Sequence, residues 1–167
     1  FIFYNMNISE LYKKFRDCNG ICTDSRNIIK DSLFFSLKGD NFNGNKYAKQ
    51  AIKEGCKLAI IDDEEFHSEN CILVENVKNT LQELAKYHRS QLNIPIIGIT
   101  GTNGKTTTKE LINSVLSTQY NCYFTKGNLN NQIGLPLSVL EIEEAHEIAV
   151  IEMGASKIGE IENLCNI

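Results

Sequence analysis

The segment IIGITGTNGKTTT, residues 96–108, decides the fold class of this chain. It begins as an apolar run typical of a buried strand and ends with Lys105 and Thr106 at the start of an amphipathic stretch. Between these parts, Gly101 and Gly104 allow backbone conformations that turn successive N–H groups inward, and the helix that follows adds its own unpaired amides. A strand, a glycine turn and a helix in this order predict a phosphate-binding loop.

The two polar residues after the loop suit a nucleotide that is bound with a metal. Lys105 can offset the charge of the β- and γ-phosphates, and the Thr106 hydroxyl is placed to ligate Mg²⁺. The strict pattern G-x-x-x-x-G-K-[ST] has glycine where this chain has Ile99, so the match is imperfect. A plain glycine turn before a helix is the alternative interpretation.

A second acidic residue for the metal is expected at the end of a neighbouring parallel strand, because ligands collect at the carboxyl ends of such strands. The apolar run Ile148–Ile151 is followed by Glu152 and then by Gly154. We predict that Glu152 is a Mg²⁺ ligand, directly or through water. The alternative is a solvated residue at a strand end.

The segment KGNLNNQIGLP, residues 126–136, follows another predicted strand and holds three asparagines and a glutamine within five positions. Their amide groups could bind a base, a sugar or an amide-bearing substrate. Asparagine clusters also form turns, so chemistry alone leaves both interpretations open.

Short apolar runs alternate with amphipathic stretches along the whole chain, which predicts an α/β fold with parallel sheets. The predicted strands cover about 33–37, 57–61, 72–75, 96–100, 122–125 and 148–151. The predicted helices cover about 7–16, a stretch from 47 stopped by Gly55, a stretch through 81–88 that ends before Asn93, 106–116 and 135–140, and residues 38–45 are predicted as a loop. Pro95 favours a boundary near Asn93, which gives two domains, 1–93 and 94–167.

Composition excludes several classes of protein. The 17 Lys+Arg and 21 Asp+Glu of the 167 residues give a net charge of −4, which argues against a general nucleic-acid binder. No apolar run is long enough to span a membrane, and Phe1–Glu10 lacks the features of an export signal. Six cysteines without a C-x-x-C pair indicate reduced thiols, so a cytoplasmic protein is expected.

These motifs together resemble the Mur ligase family of ATP-dependent ligases. The loop 101–107 is similar to the signature of the family's central domain, which also lacks the first glycine. Residues 127–136 and 152–156 resemble further motifs of the branch that adds D-alanyl-D-alanine. In the first domain, residues 23–26, 33–39 and 42–44 resemble the family's uridine-substrate domain.

The resemblance implies a domain plan and an activity. Residues 1–93 would form a small α/β domain for the UDP substrate, and 94–167 the first part of a P-loop, parallel-sheet ATP-binding domain. The carboxy-terminal domain that holds the amine would be absent, so an amino-terminal fragment without activity of its own is expected. The complete enzyme would be a cytoplasmic monomer that uses ATP and Mg²⁺ to join D-alanyl-D-alanine to UDP-N-acetylmuramoyl-tripeptide through an acyl phosphate, in peptidoglycan precursor synthesis.

The resemblance also implies site residues. Lys105 would be catalytic, and Thr106 and Glu152 would hold the metal. The nucleotide would contact Gly101, Thr102, Asn103, Gly104, Lys105, Thr106, Thr107, Asn128 and Asn131. The UDP part of the substrate would contact Ser25, Arg26, Asp40, Asn41 and Phe42. The family often has histidine where this chain has Lys157, which leaves the role of that position undecided.

Three alternatives stay open at this point. Another amide ligase of the superfamily, such as the enzyme that adds the third peptide residue or folylpolyglutamate synthase, would share the phosphate loop. A nucleotide-binding module without catalysis would bind ATP but not UDP-muramyl peptides. A P-loop kinase would leave the first domain without a purpose.

Overall fold

The computed structural model describes residues 6–167. Residues 1–5, which belong to the predicted first domain and to the segment searched for an export signal, lie outside the described residues. Among the described residues, every helix is too short or too polar to cross a lipid bilayer.

The chain divides into two compact units. The first unit ends at Leu84, and the second runs from Ala85 to Ile167. The division falls inside one long helix, Val77–Gln91. The domain boundary near Asn93 stays a prediction.

The first unit combines a parallel sheet with short helices. In chain order its elements are α1 (Ile8–Arg16), β1 (Ile21–Cys22), β2 (Leu33–Phe35), β3 (Lys38–Gly39), β4 (Phe42–Asn43), α2 (Ala48–Lys53), β5 (Leu58–Ile61), β6 (Cys71–Leu73) and the start of α3 (Val77–Gln91). Four strands form a sheet in the order β1-β2-β5-β6, and every neighbouring pair is parallel. The predicted α/β class is confirmed in this unit.

Helix α2 packs on this sheet through small side chains. Ala48 and Ala51 are fully buried in one cluster with Phe34 and Ala59. Because they are three positions apart, both alanines lie on one face of the helix, and their small size lets the helix approach the strands closely. The helix stops before Gly55, whose φ of +123° is unfavourable for other residues.

Residues 38–45, predicted as a loop, contain an antiparallel hairpin instead. Strand β3 pairs with β4, and Asp40 and Asn41 form the turn between them. A 3₁₀ turn, Gly44–Tyr47, then leads into α2. Two-residue strands are too short to show an alternating hydrophobic pattern, which is why the sequence did not reveal them.

The second unit holds a three-stranded parallel sheet. Its elements after α3 are β7 (Ile96–Ile99), α4 (Lys105–Leu116), β8 (Cys122–Phe124), α5 (Gly134–Leu140), β9 (Ile148–Glu152) and α6 (Glu160–Cys165). The strand order is β7-β9-β8, so β9 lies in the middle. Ile99 is the register partner of Glu152, and Phe124 that of Val150. The carboxyl ends of all three strands therefore lie at one edge, next to the loops that follow them.

The remaining predicted helices and strands are present with ends shifted by a few residues. Asn7, the first residue of the predicted helix 7–16, is the N-cap of α1 and accepts a hydrogen bond from the backbone N–H of Ser9 at 3.2 Å. Strand β1 and helix α6, which are only two and six residues long, were not predicted from the sequence.

Asp62, directly after β5, joins the hairpin region to the start of α3. Its carboxylate accepts hydrogen bonds from Asn45 Nδ2 at 2.9 Å and from the backbone N–H of Val77 at 3.1 Å, and it lies 2.9 Å from Lys38 Nζ. Burial acts to raise the pKa of Asp62, but the hydrogen bonds from Lys38, Asn45 and Val77 and the charge of Lys38 lower it overall.

Replacing this carboxylate should destabilise the fold. Asp62→Ala is expected to lower the free energy of unfolding at pH 7 by about 2 kcal/mol, because its donors lose a partly buried acceptor. Since the pKa of Asp62 is lowered in the folded state, its contribution is complete at neutral pH. That contribution is lost as the pH falls below about 4, so the difference from the parent protein should shrink at acid pH.

Urea denaturation at pH 7 and at pH 3 measures both effects. Glu65→Ala, which removes an exposed carboxylate close in sequence, is the control and should unfold like the parent protein. Equal stability of Asp62→Ala and the parent at pH 7 would show that the Asp62 carboxylate does not stabilise the fold.

Candidate functional site

The loop between β7 and α4 has two glycines with positive φ, as expected for an anion-binding loop. Gly101 and Gly104 have φ values of +152° and +76°, and Gly104 directly precedes the first residue of α4. The amides at the start of α4 have no partner within the helix, and the helix dipole favours negative charge there. Lys105 Nζ donates a hydrogen bond of 2.7 Å to the carbonyl oxygen of Gly101, so its ammonium lies over the loop.

Glu152, the last residue of β9, faces this loop. Its side chain is 2% exposed, and both carboxylate oxygens are hydrogen-bonded. Oε2 accepts from Thr106 Oγ1 at 3.0 Å, and Oε1 accepts from Asn130 Nδ2 at 2.7 Å. The backbone N–H of Glu152 donates to Thr125 Oγ1 at 3.0 Å. The structure thus brings together Thr106 and Glu152, the two residues predicted to hold a metal.

A buried lysine supplies the counter-charge to this carboxylate. Lys109 Nζ lies 4.0 Å from Glu152 Oε2 and 3.2 Å from Glu110 Oε1, and the Lys109 side chain is 1% exposed. The same ammonium donates a hydrogen bond of 2.6 Å to the carbonyl oxygen of Thr125 and lies 5.7 Å from the centre of the Phe124 ring. A buried carboxylate is costly unless a cation and hydrogen-bond donors meet it, and Lys109 is that cation.

The Thr106 and Glu152 oxygens fit a Mg²⁺ ion. Mg²⁺ prefers hydroxyl, carboxylate and water oxygens in an octahedron, where adjacent ligand oxygens are about 2.9 Å apart. The observed separation between Thr106 Oγ1 and Glu152 Oε2 is 3.0 Å. Each oxygen also keeps a lone pair beyond the hydrogen bond that joins them. Together these two side chains could hold the ion.

The asparagine-rich segment divides into three different settings. Asn131 Oδ1 accepts hydrogen bonds from the backbone N–H groups of Ile133 and Gly134 at 3.0 and 2.9 Å, at the start of α5. Asn128 is exposed. Asn130, in contrast, reaches Glu152, and a Cβ on Gly154 would come within 3.0 Å of the Asn130 side chain. The predicted nucleotide contacts of Asn128 and Asn131 stay predictions.

The residues predicted to contact the UDP part lie in the first unit. Arg26 forms a two-pronged pair with Asp24, with Nε at 2.9 Å from Oδ1 and the second nitrogen at 2.7 Å from Oδ2. The hydrogen bonds from Arg26 lower the pKa of Asp24 to about 2, so the pair persists across the neutral range. Ser25 lies between them and is half-buried.

The remaining UDP candidates lie on the hairpin. Asp40 and Asn41 are exposed at its turn. Phe42 is 50% exposed, and its ring stacks on Tyr47 with 5.4 Å between centroids and 10° between planes. An exposed aromatic face beside polar turn residues is the kind of surface on which a flat base can stack. Their role in binding stays a prediction.

Three residues around Glu152 were missed from the sequence, namely Lys109, Thr125 and Asn130. Lys109 carried a usable signal, because it follows Lys105 by four positions and so lies on the same helix face one turn later. Asn130 was part of a segment already singled out, but nothing in the sequence told it apart from its neighbours. Thr125 was predicted only as a strand residue.

Two family models match the chain. The model described as "Mur ligase family, catalytic domain" matches residues 17–98, and that described as "Mur ligase middle domain" matches residues 99–167. The chain belongs to the Mur ligase family. The family prediction is therefore confirmed, and the parallel α/β architecture agrees with that of the solved relatives.

Relatives within the Mur ligase family carry specific names. UDP-N-acetylmuramoyl-tripeptide--D-alanyl-D-alanine ligase of Bacillus subtilis (strain 168) is 44% identical over 154 residues, covering 89% of this chain and 33% of the relative. The solved structure of UDP-N-acetylmuramoylalanyl-D-glutamyl-2,6-diaminopimelate--D-alanyl-D-alanyl ligase from Acinetobacter baumannii matches with a TM-score of 0.82 and 35% identity, covering 88% of this chain and 33% of that one. The MurF ligase from Thermotoga maritima, solved in complex with ADP, matches with a TM-score of 0.79 and 34% identity, covering 87% and 34%. The chain spans about a third of the length of the curated relatives it matches.

The hydrogen bond from the Glu152 amide to Thr125 offers a test of how the site is supported. Thr125→Val should lower the free energy of unfolding by about 1–3 kcal/mol, because a buried N–H loses its acceptor while side-chain shape is kept. Thr118→Val, which removes an exposed hydroxyl bonded to the Val115 carbonyl, should stay within about 0.5 kcal/mol of the parent. Equal losses of stability for Thr125→Val and Thr118→Val in chemical denaturation would show that the buried hydrogen bond contributes no more than an exposed one.

Proposed function

We propose that the protein is an ATP-dependent carbon–nitrogen ligase that joins D-alanyl-D-alanine to UDP-N-acetylmuramoyl-tripeptide, a reaction of peptidoglycan precursor synthesis. The single observation that carries the chemistry is the 3.0 Å contact between Thr106 and Glu152 beside the phosphate loop. The names of the relatives support the choice of substrates. Because the reaction uses ATP and a UDP-linked substrate, we propose that it takes place in the cytoplasm. We also propose that the protein is a monomer.

The phosphate loop would bind and align ATP. A substrate carboxylate that attacks the γ-phosphoryl group brings negative charges together, so the site has to offset repulsion and hold the reactants in line. Lys105 and the loop amides from Gly101 to Thr107 supply positive charge where the phosphates would lie. Thr106 and Glu152 would hold Mg²⁺, which would supply further positive charge to the phosphates.

The reaction needs no nucleophile from the protein. The carboxylate of the tripeptide would take the γ-phosphoryl group to give an acyl phosphate, with ADP leaving. The amine of D-alanyl-D-alanine would then attack the acyl carbon and release phosphate, forming the peptide bond. In this sequence of steps the described residues bind, orient and neutralise charge, which suits the side chains found around the loop.

The first unit would bind the UDP part of the substrate. Arg26 offers a planar guanidinium that suits a diphosphate or a uracil edge, and Asp24 holds that group in one orientation. Ser25 and the hairpin residues Asp40, Asn41 and Phe42 would complete the contacts. We propose that D-alanyl-D-alanine is bound by the part of the complete protein that corresponds to the remaining two thirds of the relatives.

Removing the loop lysine tests the proposed chemistry. In the complete protein, Lys105→Ala should reduce ligation by about 10²-fold or more, because the developing charge on the phosphates loses a cation. Binding of UDP-N-acetylmuramoyl-tripeptide should stay nearly unchanged, since the residues proposed for it lie in the first unit. Phosphate release and calorimetry measure the two properties, and Lys86→Ala on α3 is the control for loss of an exposed lysine. Near-normal turnover by Lys105→Ala would refute the proposed catalytic role of Lys105.

Removing the guanidinium tests the other unit. Arg26→Ala should weaken binding of UDP-N-acetylmuramoyl-tripeptide by about tenfold or more, the effect expected when a charge-assisted hydrogen bond to a ligand is lost. Affinity for ADP should not change. Arg16→Ala, which removes an exposed arginine on α1, is the matched control. Calorimetry that finds parent-like binding of the UDP substrate by Arg26→Ala would remove Arg26 from the site.

A further inference from the structure

Lys109 is the charged residue of the site to which the proposed chemistry gives no task. It is 0% exposed, although it carries a long cationic side chain. Lysine is almost never fully buried unless it is paired, because its ammonium loses hydration. Its position on α4, one turn after Lys105, directs it toward the carboxyl ends of β8 and β9, where it bonds the Thr125 carbonyl and lies beside Glu152.

The charges around Glu152 balance without a metal. One buried carboxylate faces one buried ammonium at 4.0 Å, and the remaining acid of the group, Glu110, is 53% exposed and therefore screened by water. The Glu152 oxygens also accept hydrogen bonds from Thr106 and Asn130. A divalent ion that approached Glu152 would meet a carboxylate already neutralised and would be repelled by the ammonium behind it.

Nucleotide phosphates would change this balance. Their negative charges would lie against the loop, on the side of Thr106, and add attraction for a divalent ion that the carboxylate alone cannot supply. We propose that Lys109 is a positioning residue that makes metal binding at Glu152 depend on bound nucleotide. This inference rests on the proposed function, because it takes Glu152 as the metal ligand of an ATP site.

A purely structural role for Lys109 predicts a different result. If the lysine only tied α4 to the sheet, its removal would lower stability and weaken every ligand alike. If it offsets the charge of Glu152, its removal would instead create affinity for a divalent ion in the protein without nucleotide. The gain of metal binding separates the two roles, because loss of stability does not produce it.

The test measures Mn²⁺ binding to the complete protein without nucleotide, by water-proton relaxation or electron paramagnetic resonance at one neutral pH. Lys109→Met keeps most of the length of the unbranched side chain and removes its charge. It should raise the affinity for Mn²⁺ by about tenfold or more, as expected for removal of a unit charge beside a divalent ion. Adding Glu152→Gln to Lys109→Met should abolish the gain, and the control Lys86→Met should show none.

Two further measurements keep the test decisive. Lys109→Gln retains a donor for the Thr125 carbonyl and replaces Lys109→Met if that variant does not fold. In the parent protein, Glu152→Gln should leave Mn²⁺ binding unchanged without nucleotide and should weaken it when ADP is present. No gain in the folded Lys109 variants, or a gain that survives Glu152→Gln, would overturn the proposal.

The proposed function and this inference fail in different ways. If Glu152→Gln has no effect on Mn²⁺ binding even with ADP, then Glu152 is not the metal ligand and the proposed function is wrong at that residue. If Glu152→Gln weakens Mn²⁺ binding equally with and without ADP, then the metal site stands and the dependence on nucleotide assigned to Lys109 is wrong.

Discussion

A carboxylate buried at the end of a strand is the constraint on which the second unit depends. Glu152 is 2% exposed, and an ionised group at that depth requires donors and a cation within reach. The carboxylate's partners come from separate parts of the chain: Thr106 and Lys109 from α4, and Asn130 from the loop before α5. Thr125, directly after β8, accepts a hydrogen bond from the backbone N–H of Glu152. The strand order β7-β9-β8 makes this possible, because the central strand ends between both neighbouring loops.

Under the proposed function, the same arrangement would let the loop before α4 bind phosphates. Lys105 bonds the Gly101 carbonyl within the loop, and the acid contacts Thr106 at the start of α4. A metal ion held by both Thr106 and Glu152 would require no movement of the backbone, because their oxygens are already at the spacing of adjacent ligands. Preorganised charge of this kind accounts for much of the rate enhancement in phosphoryl transfer.

The sequence was sufficient for the features that local patterns encode. The glycine turn before α4, its strand and its helix follow from glycine positions and hydrophobic periodicity. The position of Glu152 beside that turn follows from the rule that ligands gather at carboxyl ends of parallel strands. The sequence was insufficient for features that depend on tertiary contacts. The hairpin at 38–43 has strands too short to show a pattern, and Asn130 differs from Asn128 and Asn131 only in where the folded loop directs it. Lys109 was not predicted as a site residue because burial of a lysine depends on partners distant in sequence.

The most direct test of the account is a double-mutant cycle on the Mg²⁺ dependence of ADP binding, with Thr106→Val and Glu152→Gln alone and together. If both oxygens hold one ion, Mg²⁺ should strengthen ADP binding in the parent protein, each single variant should lose most of that gain, and the double variant should lose little more. Additive losses, or a full Mg²⁺ effect in Glu152→Gln, would contradict the account.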